Sequence, residues 1–88
     1  MSLRLLAFTQ NAWEDYLFWK STDEKTSRRV DELIKNTMRT PFEGLGKPEP
    51  LRGELSGKWS RRINSRDRMV YAVEEETLYL VALRKHYG

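Results

Sequence analysis

A run of residues that opposes regular structure divides the chain into two unlike halves. Residues 41–57 hold all three prolines and four of the five glycines of this 88-residue sequence. Proline fixes its own backbone and lacks an amide hydrogen, while glycine turns freely, so we expect a long and locally stiff loop here. Loops of that length are usually functional or disordered. The regular structure must therefore come from the residues on either side.

The segment before the loop predicts one strand and two helices. Residues 3–8 are a short apolar run that ends at polar residues, as a strand would. Thr9 or Asn11 can then cap a helix that continues to about Lys20. A second helix is expected to start at residues 22–24, because apolar or small residues recur after it at helical spacing, namely at Val30, Leu33, Ile34 and Thr37.

The segment after the loop has the composition of three strands, at residues 58–63, 68–73 and 77–83. The predicted order is thus β-α-α-β-β-β. Because the last strands are close neighbours in sequence, we expect an α+β fold with a twisted, largely antiparallel sheet and both helices on one face. A chain of this length would bury too little apolar surface in two separate cores, so residues 1–88 are expected to form one domain.

Composition narrows the class of protein further. With no cysteine and a single histidine, the chain offers neither disulfides nor the usual ligands of a zinc site. No glycine-rich phosphate loop precedes a helix, so we expect no cofactor and no metal. No apolar run approaches the roughly 18 residues of a membrane span, and the first residues do not resemble a secretory signal. We therefore expect a cytoplasmic protein that is not bound to a membrane.

The positive charge is concentrated in the second half of the chain. Residues 1–46 carry seven Lys or Arg and seven Asp or Glu, whereas residues 47–88 carry nine basic against six acidic residues. A basic surface of this kind attracts a polyanion such as RNA in a salt-dependent way. A solvated strand face would give the same pattern, so both interpretations stay open at this point.

Because neither a metal nor a cofactor is expected, chemistry would depend on carboxylate, imidazole and guanidinium groups, which suit acid and base chemistry on RNA. Metal-free cleavage needs a base for the ribose 2′-OH, cations for the phosphate and an acid for the 5′-oxygen that leaves. Glu49 lies between two prolines that hold it extended, with the cations Lys47 and Arg52 nearby. Arg61 and Arg62 offer guanidinium groups that match phosphate, with surface ion pairs as the equal alternative.

His86, the single histidine, would have to meet Arg68 at one end of the last hairpin. Side chains alternate between faces along a strand, so these two share a face only if paired residue numbers add up to an even value. A three-residue turn at residues 75–77 would pair 74 with 78 and 68 with 84. A two-residue turn would not, so we expect a three- or five-residue turn or a bulge.

Several segments together resemble the YoeB toxins, which belong to the wider group of RelE-type bacterial toxins. The strongest match is residues 40–51 (TPFEGLGKPEPL), and four other segments add to it: residues 55–63 (LSGKWSRRI), 68–73 (RMVYAV), 31–35 (DELIK) and the final HY at 86–87. The region between Trp13 and Trp19 also fits. The resemblance covers nearly the whole chain.

This resemblance implies a RelE fold, similar to microbial ribonucleases, in the toxin of a type II toxin-antitoxin system. Such a toxin cleaves mRNA in the ribosomal A site and leaves a 2′,3′-cyclic phosphate. By position, Glu49 would be the general base, His86 the general acid and Arg68 the group that stabilises the transition state, with assistance from Arg62, Lys47 and Tyr87. It also implies a YefM-type antitoxin as partner, a homodimer, and the ribosome and mRNA as targets.

Two other functions remain open at this point. A ParE-like toxin of the same fold acts on DNA gyrase and would not need the set of Glu49, Arg68 and His86. A non-catalytic module that binds RNA or the ribosome would use the basic half of the chain only for docking.

Overall fold

Two helices and a five-stranded sheet make up residues 2–85, the part of the chain that the computed structural model describes. The elements follow in the order β1 (Leu5–Phe8), α1 (Gln10–Thr22), α2 (Glu24–Arg39), β2 (Glu49–Pro50), a 3₁₀ turn (Gly53–Leu55), β3 (Trp59–Arg62), β4 (Arg68–Glu74) and β5 (Thr77–Lys85). Over this range, neither helix is long and apolar enough to span a membrane.

Polar caps set the start of both helices. The side chain of Thr9 accepts a hydrogen bond from the amide of Ala12 at 3.0 Å, so Thr9 and not Asn11 begins α1. Asp23 accepts from the amide of Thr26 at 3.0 Å and is the one residue between α1 and α2. These hydrogen bonds to the ionised carboxylate lower the pKa of Asp23 below its ordinary value of 3.8. The two helices predicted for this segment are confirmed, and they form a tight hairpin.

The sheet has the strand order β1-β5-β4-β3-β2. All neighbouring strands run antiparallel except β1, which is parallel to β5. The predicted α+β fold with a largely antiparallel sheet is confirmed. The sequence did not predict β2, which lies inside the expected loop and pairs Glu49 with Ser60 and Pro50 with Trp59. Prolines hold this segment extended and are tolerated because β2 is an edge strand.

Both helices pack on the same face of the sheet. Trp19 of α1 and Leu33 of α2 belong to one buried cluster with strand residues that share a face, among them Met69, Tyr71, Leu78 and Leu80. Strand residues alternate between faces, so their neighbours in sequence point the other way. We call that second surface, which neither helix covers, the open face.

The hairpin between β4 and β5 differs from its prediction. Glu74 pairs with Thr77, so the turn contains two residues and not three. Its first residue, Glu75, has a φ of 55°, the left-handed conformation that lets a two-residue turn close. The register then shifts at two points, and Arg68 pairs with Lys85 in place of residue 84. An irregularity is thus present, but its two shifts return the pair of Arg68 and Lys85 to an odd sum, so the even register that the prediction required is not found here. The face taken by His86 lies outside the described residues.

Candidate active site

Strand pairing brings Glu49, Arg62 and Arg68 onto the open face. Glu49 lies directly opposite Ser60, and Arg62 follows Ser60 by two residues along β3, so both share its face. Arg62 is in turn directly opposite Arg68. Strand spacings put the Cα atoms of Glu49 and Arg68 about 12 Å apart, a gap that their long side chains can bridge.

The backbone on both sides of Glu49 is tied to β3. The amide of Arg62 donates to the carbonyl of Gly46 at 2.7 Å, and the amide of Leu51 donates to the carbonyl of Lys58 at 2.9 Å. Between these two hydrogen bonds, Glu49 is exposed. The carboxylate is therefore presented to solvent from a fixed position.

A turn holds the guanidinium of Arg68. Its Nη1 donates to the carbonyl oxygens of Asn64 at 3.0 Å and Asp67 at 3.3 Å. The turn itself is closed by Asn64, whose Oδ1 accepts from the amides of Arg66 and Asp67. Arg68 is half-buried, and these contacts restrict it to one region of the open face.

Arg62 and Arg68 place two positive charges opposite each other. The ion pairs found among the described side chains are Arg4 with Glu76 and Arg28 with Glu24, so neither arginine of the open face has a carboxylate partner there. Like charges in directly opposed positions destabilise a sheet. A bound anion would relieve this repulsion, and a phosphate group matches guanidinium geometry.

The other predicted site residues divide into two groups. Lys47 and Arg52 are both exposed in the loop segments that flank β2, close in sequence to Glu49. His86 and Tyr87 lie outside the described residues, so their roles stay predictions. Within residues 2–85, no three carboxylate or imidazole side chains cluster as metal ligands would.

The structure contradicts the role predicted for Arg61. Arg61 is 0% exposed, so the predicted contact with RNA is wrong, and so is the alternative of a surface ion pair. Alternation along β3 points Arg61 towards the helices, away from Arg62. Its apolar neighbours at alternate positions lie on the same side: Ile63 belongs to the core cluster and Trp59 packs against it.

The buried guanidinium of Arg61 holds the loop that follows α2. It donates to the carbonyl oxygens of Leu45 at 3.1 Å, Glu43 at 2.9 Å and Thr40 at 2.5 Å. It also donates to Oδ1 of Asn36 at 2.7 Å and to the hydroxyl of Tyr71 at 3.2 Å. Every acceptor is a neutral oxygen.

Sequence reasoning missed both Asn36 and Tyr71, although each supports this loop. Oδ1 of Asn36 also accepts from the amide of Leu45 at 3.0 Å, and the Tyr71 hydroxyl donates to the carbonyl of Pro41 at 2.7 Å. Burial raises the pKa of Tyr71 above its ordinary value of 10.0, with partial opposition from Arg61. Both residues lie inside a predicted helix or strand, and nothing in the local pattern marks them as loop contacts.

Comparison with known proteins agrees with this architecture. A family model described as the YoeB-like toxin of bacterial type II toxin-antitoxin systems matches residues 8–87. Toxin YoeB of Escherichia coli K12 is 52% identical over 82 residues, which is 93% of this chain and 98% of that protein. The chain therefore belongs to the YoeB-like family of toxins.

Solved structures give the same result. The YoeB/ParE toxin from Agrobacterium tumefaciens superposes with a TM-score of 0.93 at 45% identity, covering 96% of this chain and 100% of that one. A Staphylococcus aureus YoeB dimer superposes with a TM-score of 0.89 at 36% identity, covering 99% of this chain and 100% of that one. A chain of a YoeB-YefM complex from Staphylococcus aureus superposes with a TM-score of 0.87 at 37% identity, covering 96% of this chain and 99% of that one.

Proposed function

We propose that this toxin is a ribosome-dependent endoribonuclease that cleaves mRNA in the ribosomal A site. The observation that carries the proposal is the opposed pair Arg62 and Arg68 on the same sheet face as Glu49. Two unneutralised guanidinium groups form a site for a phosphate, and a nearby carboxylate can serve as a base. Membership in the YoeB-like family supports this assignment.

The proposed reaction is a transesterification that needs no metal. Glu49 accepts the proton of the ribose 2′-OH, and the 2′-oxygen attacks the adjacent phosphorus. Arg68, with Arg62, binds the non-bridging oxygens as negative charge develops on them. His86 donates a proton to the 5′-oxygen as the bond between phosphorus and that oxygen breaks. The products are a 2′,3′-cyclic phosphate and a free 5′-hydroxyl.

The dependence on the ribosome follows from the charges at the site. Arg62 and Arg68 repel each other until an anion lies between them, and in the sequence His86 directly follows the cations Arg84 and Lys85, whose charge disfavours an imidazolium. An mRNA phosphate that another molecule holds next to these cations removes both obstacles. We therefore propose that the ribosome supplies a positioned mRNA and that free RNA is cut poorly. Lys47, Arg52 and Tyr87 assist in binding.

The partners proposed for this chain come from its relatives. The Staphylococcus aureus protein of the same family was solved as a dimer and in complex with YefM. We propose that this chain likewise pairs with a second copy and is inhibited by a YefM-type antitoxin in the cytoplasm.

The test is cleavage of a defined mRNA on translating ribosomes, with the 3′ ends of the fragments mapped and analysed for cyclic phosphate. We expect Glu49→Ala and His86→Ala to keep ribosome binding and to lower the cleavage rate by about 100-fold or more. If both variants cut at the wild-type rate, the assigned roles are wrong.

The same assay separates the alternatives. A docking module would bind ribosomes in a salt-dependent way and release no RNA fragment. A toxin directed at DNA gyrase would inhibit supercoiling and leave ribosome-bound mRNA intact.

A further inference from the structure

We infer that Arg61 is a positioning residue for Glu49, acting from the helix side of the sheet on the loop that delivers the base. This inference rests on the proposed role of Glu49. It assigns different roles to two consecutive arginines: Arg62 faces the substrate, whereas Arg61 holds the scaffold behind it.

The first step of the argument is the number of loop carbonyls that one side chain controls. Arg61 binds the carbonyl oxygens of residues 40, 43 and 45, and Tyr71 binds that of residue 41. Guanidinium is planar and rigid, so its contacts fix the loop in orientation as well as in position. These contacts hold the loop against β3.

The second step is the short path from this anchored loop to Glu49. Gly46 follows the last carbonyl bound by Arg61, has a φ of 80° and packs so closely that a Cβ there would lie 3.0 Å from Cβ of Arg61. Its carbonyl accepts from the amide of Arg62. Only Lys47 and Pro48 separate this contact from Glu49, so a displaced loop would shift the carboxylate directly.

The third step is the energetic cost of Arg61. Among the described side chains no carboxylate lies within ion-pair distance of this fully buried cation. Removing a charge from water is expensive, and well-packed apolar residues can often replace buried charged groups without loss of stability. Because stability alone does not require a buried guanidinium, its contacts with the loop supply the reason for an arginine here.

The experiment is a double-mutant cycle in single-turnover cleavage of ribosome-bound mRNA. We expect Arg61→Gln to lower the rate at saturating protein by about 10- to 100-fold, since small misplacements of a catalytic group have effects of that size. Ribosome affinity should change by less than about twofold. In a Glu49→Gln background, Arg61→Gln should have no further effect, because no base remains to be positioned.

Two outcomes would overturn the inference. One is an Arg61→Gln protein that cleaves at the wild-type rate. The other is an equal loss of rate in the wild-type and Glu49→Gln backgrounds, which would show a general structural effect. If Glu49→Gln itself cuts like wild type, the proposed function fails and not the positioning role alone.

Milder variants keep the test valid if Arg61→Gln does not fold. Arg61→Lys keeps the charge but cannot reach all five acceptors, and Tyr71→Phe removes only the hydrogen bonds of the hydroxyl. We expect both to lose less activity than Arg61→Gln and to show the same dependence on Glu49. Lys35→Gln, an exposed change on α2, is the control and should leave the rate unchanged. Unfolding by urea identifies the fraction folded in each sample.

Discussion

Trp19 shows how a single side chain secures the strand that leads towards His86. Strand β1 pairs with β5 only as far as Leu80, so the backbone of Leu83 has no β1 residue beside it. The indole of Trp19 donates to the carbonyl of Leu83 at 2.8 Å, and Asp15 accepts from its amide at 2.9 Å. Side chains of α1 thus replace the missing strand at this edge.

Replacing this indole should cost stability. We expect Trp19→Phe to lower the free energy of unfolding by about 1–3 kcal/mol, because the buried carbonyl of Leu83 loses its side-chain donor. Urea denaturation measures the change. Trp13→Phe is the matched control, since Trp13 is 46% exposed, and should change the value by less than about 0.5 kcal/mol. Equal losses in the two variants would contradict this account of Trp19.

At the level of elements, the hairpin of β3 and β4 carries two arginines of the proposed site, Arg62 and Arg68, whose opposed charges destabilise it. Arg62→Gln removes one of two opposed like charges, so we expect the free energy of unfolding to rise by up to about 1 kcal/mol. Cleavage should fall in the same variant, as is common where a site is built against stability. Thermal unfolding and the ribosome assay measure the two effects.

The control for this pair is Arg66→Gln, which removes an equal charge from the exposed turn beside it. We expect no stabilisation there. Added phosphate should raise the melting temperature of the wild type more than that of Arg62→Gln. A loss of stability in Arg62→Gln would show that the opposed arginines do not repel.

The start of α2 should make stability depend on pH. Hydrogen bonds from Thr26 lower the pKa of Asp23 below 3.8, so the folded state favours the ionised carboxylate. This contribution is complete above the unfolded value and is lost as pH falls through the lower, folded value. We expect the melting temperature of Asp23→Asn to depend less on pH in that acidic range. Parallel curves for both proteins would contradict this.

An element could be predicted from the sequence where residues close together in the chain determine it. Helical periodicity around Val30 and Leu33 and strand composition around Val70 were sufficient for α2, β4 and the confirmed fold. The register of the β4–β5 hairpin was wrong because it depends on one left-handed residue, Glu75, which nothing in its residue type predicts. Arg61 was misassigned because its five acceptors come from distant parts of the chain.

For the whole molecule, the uneven charge predicts how binding should respond to salt. If Arg62, Arg68, Lys47 and Arg52 contact about four phosphates, ribosome affinity should fall roughly 10- to 100-fold between 50 and 200 mM salt. Arg52→Gln should make the slope of log affinity against log salt less steep, by the amount expected for the loss of about one phosphate contact. Binding measured by sedimentation over a salt series tests this, and a slope near zero would rule out the proposed phosphate contacts.

The position of β5 also determines when the fold can form during synthesis. This strand lies between β1 and β4, although its residues are made after those of both neighbours. The N-terminal strand must therefore wait for residues 77–85 before it finds its partner, and non-local pairing of this kind slows folding. An incomplete chain has arginines but no finished sheet on which to align them. Under the proposed function, the chain therefore cannot cleave mRNA on the ribosome that makes it until nearly all of β5 has been added.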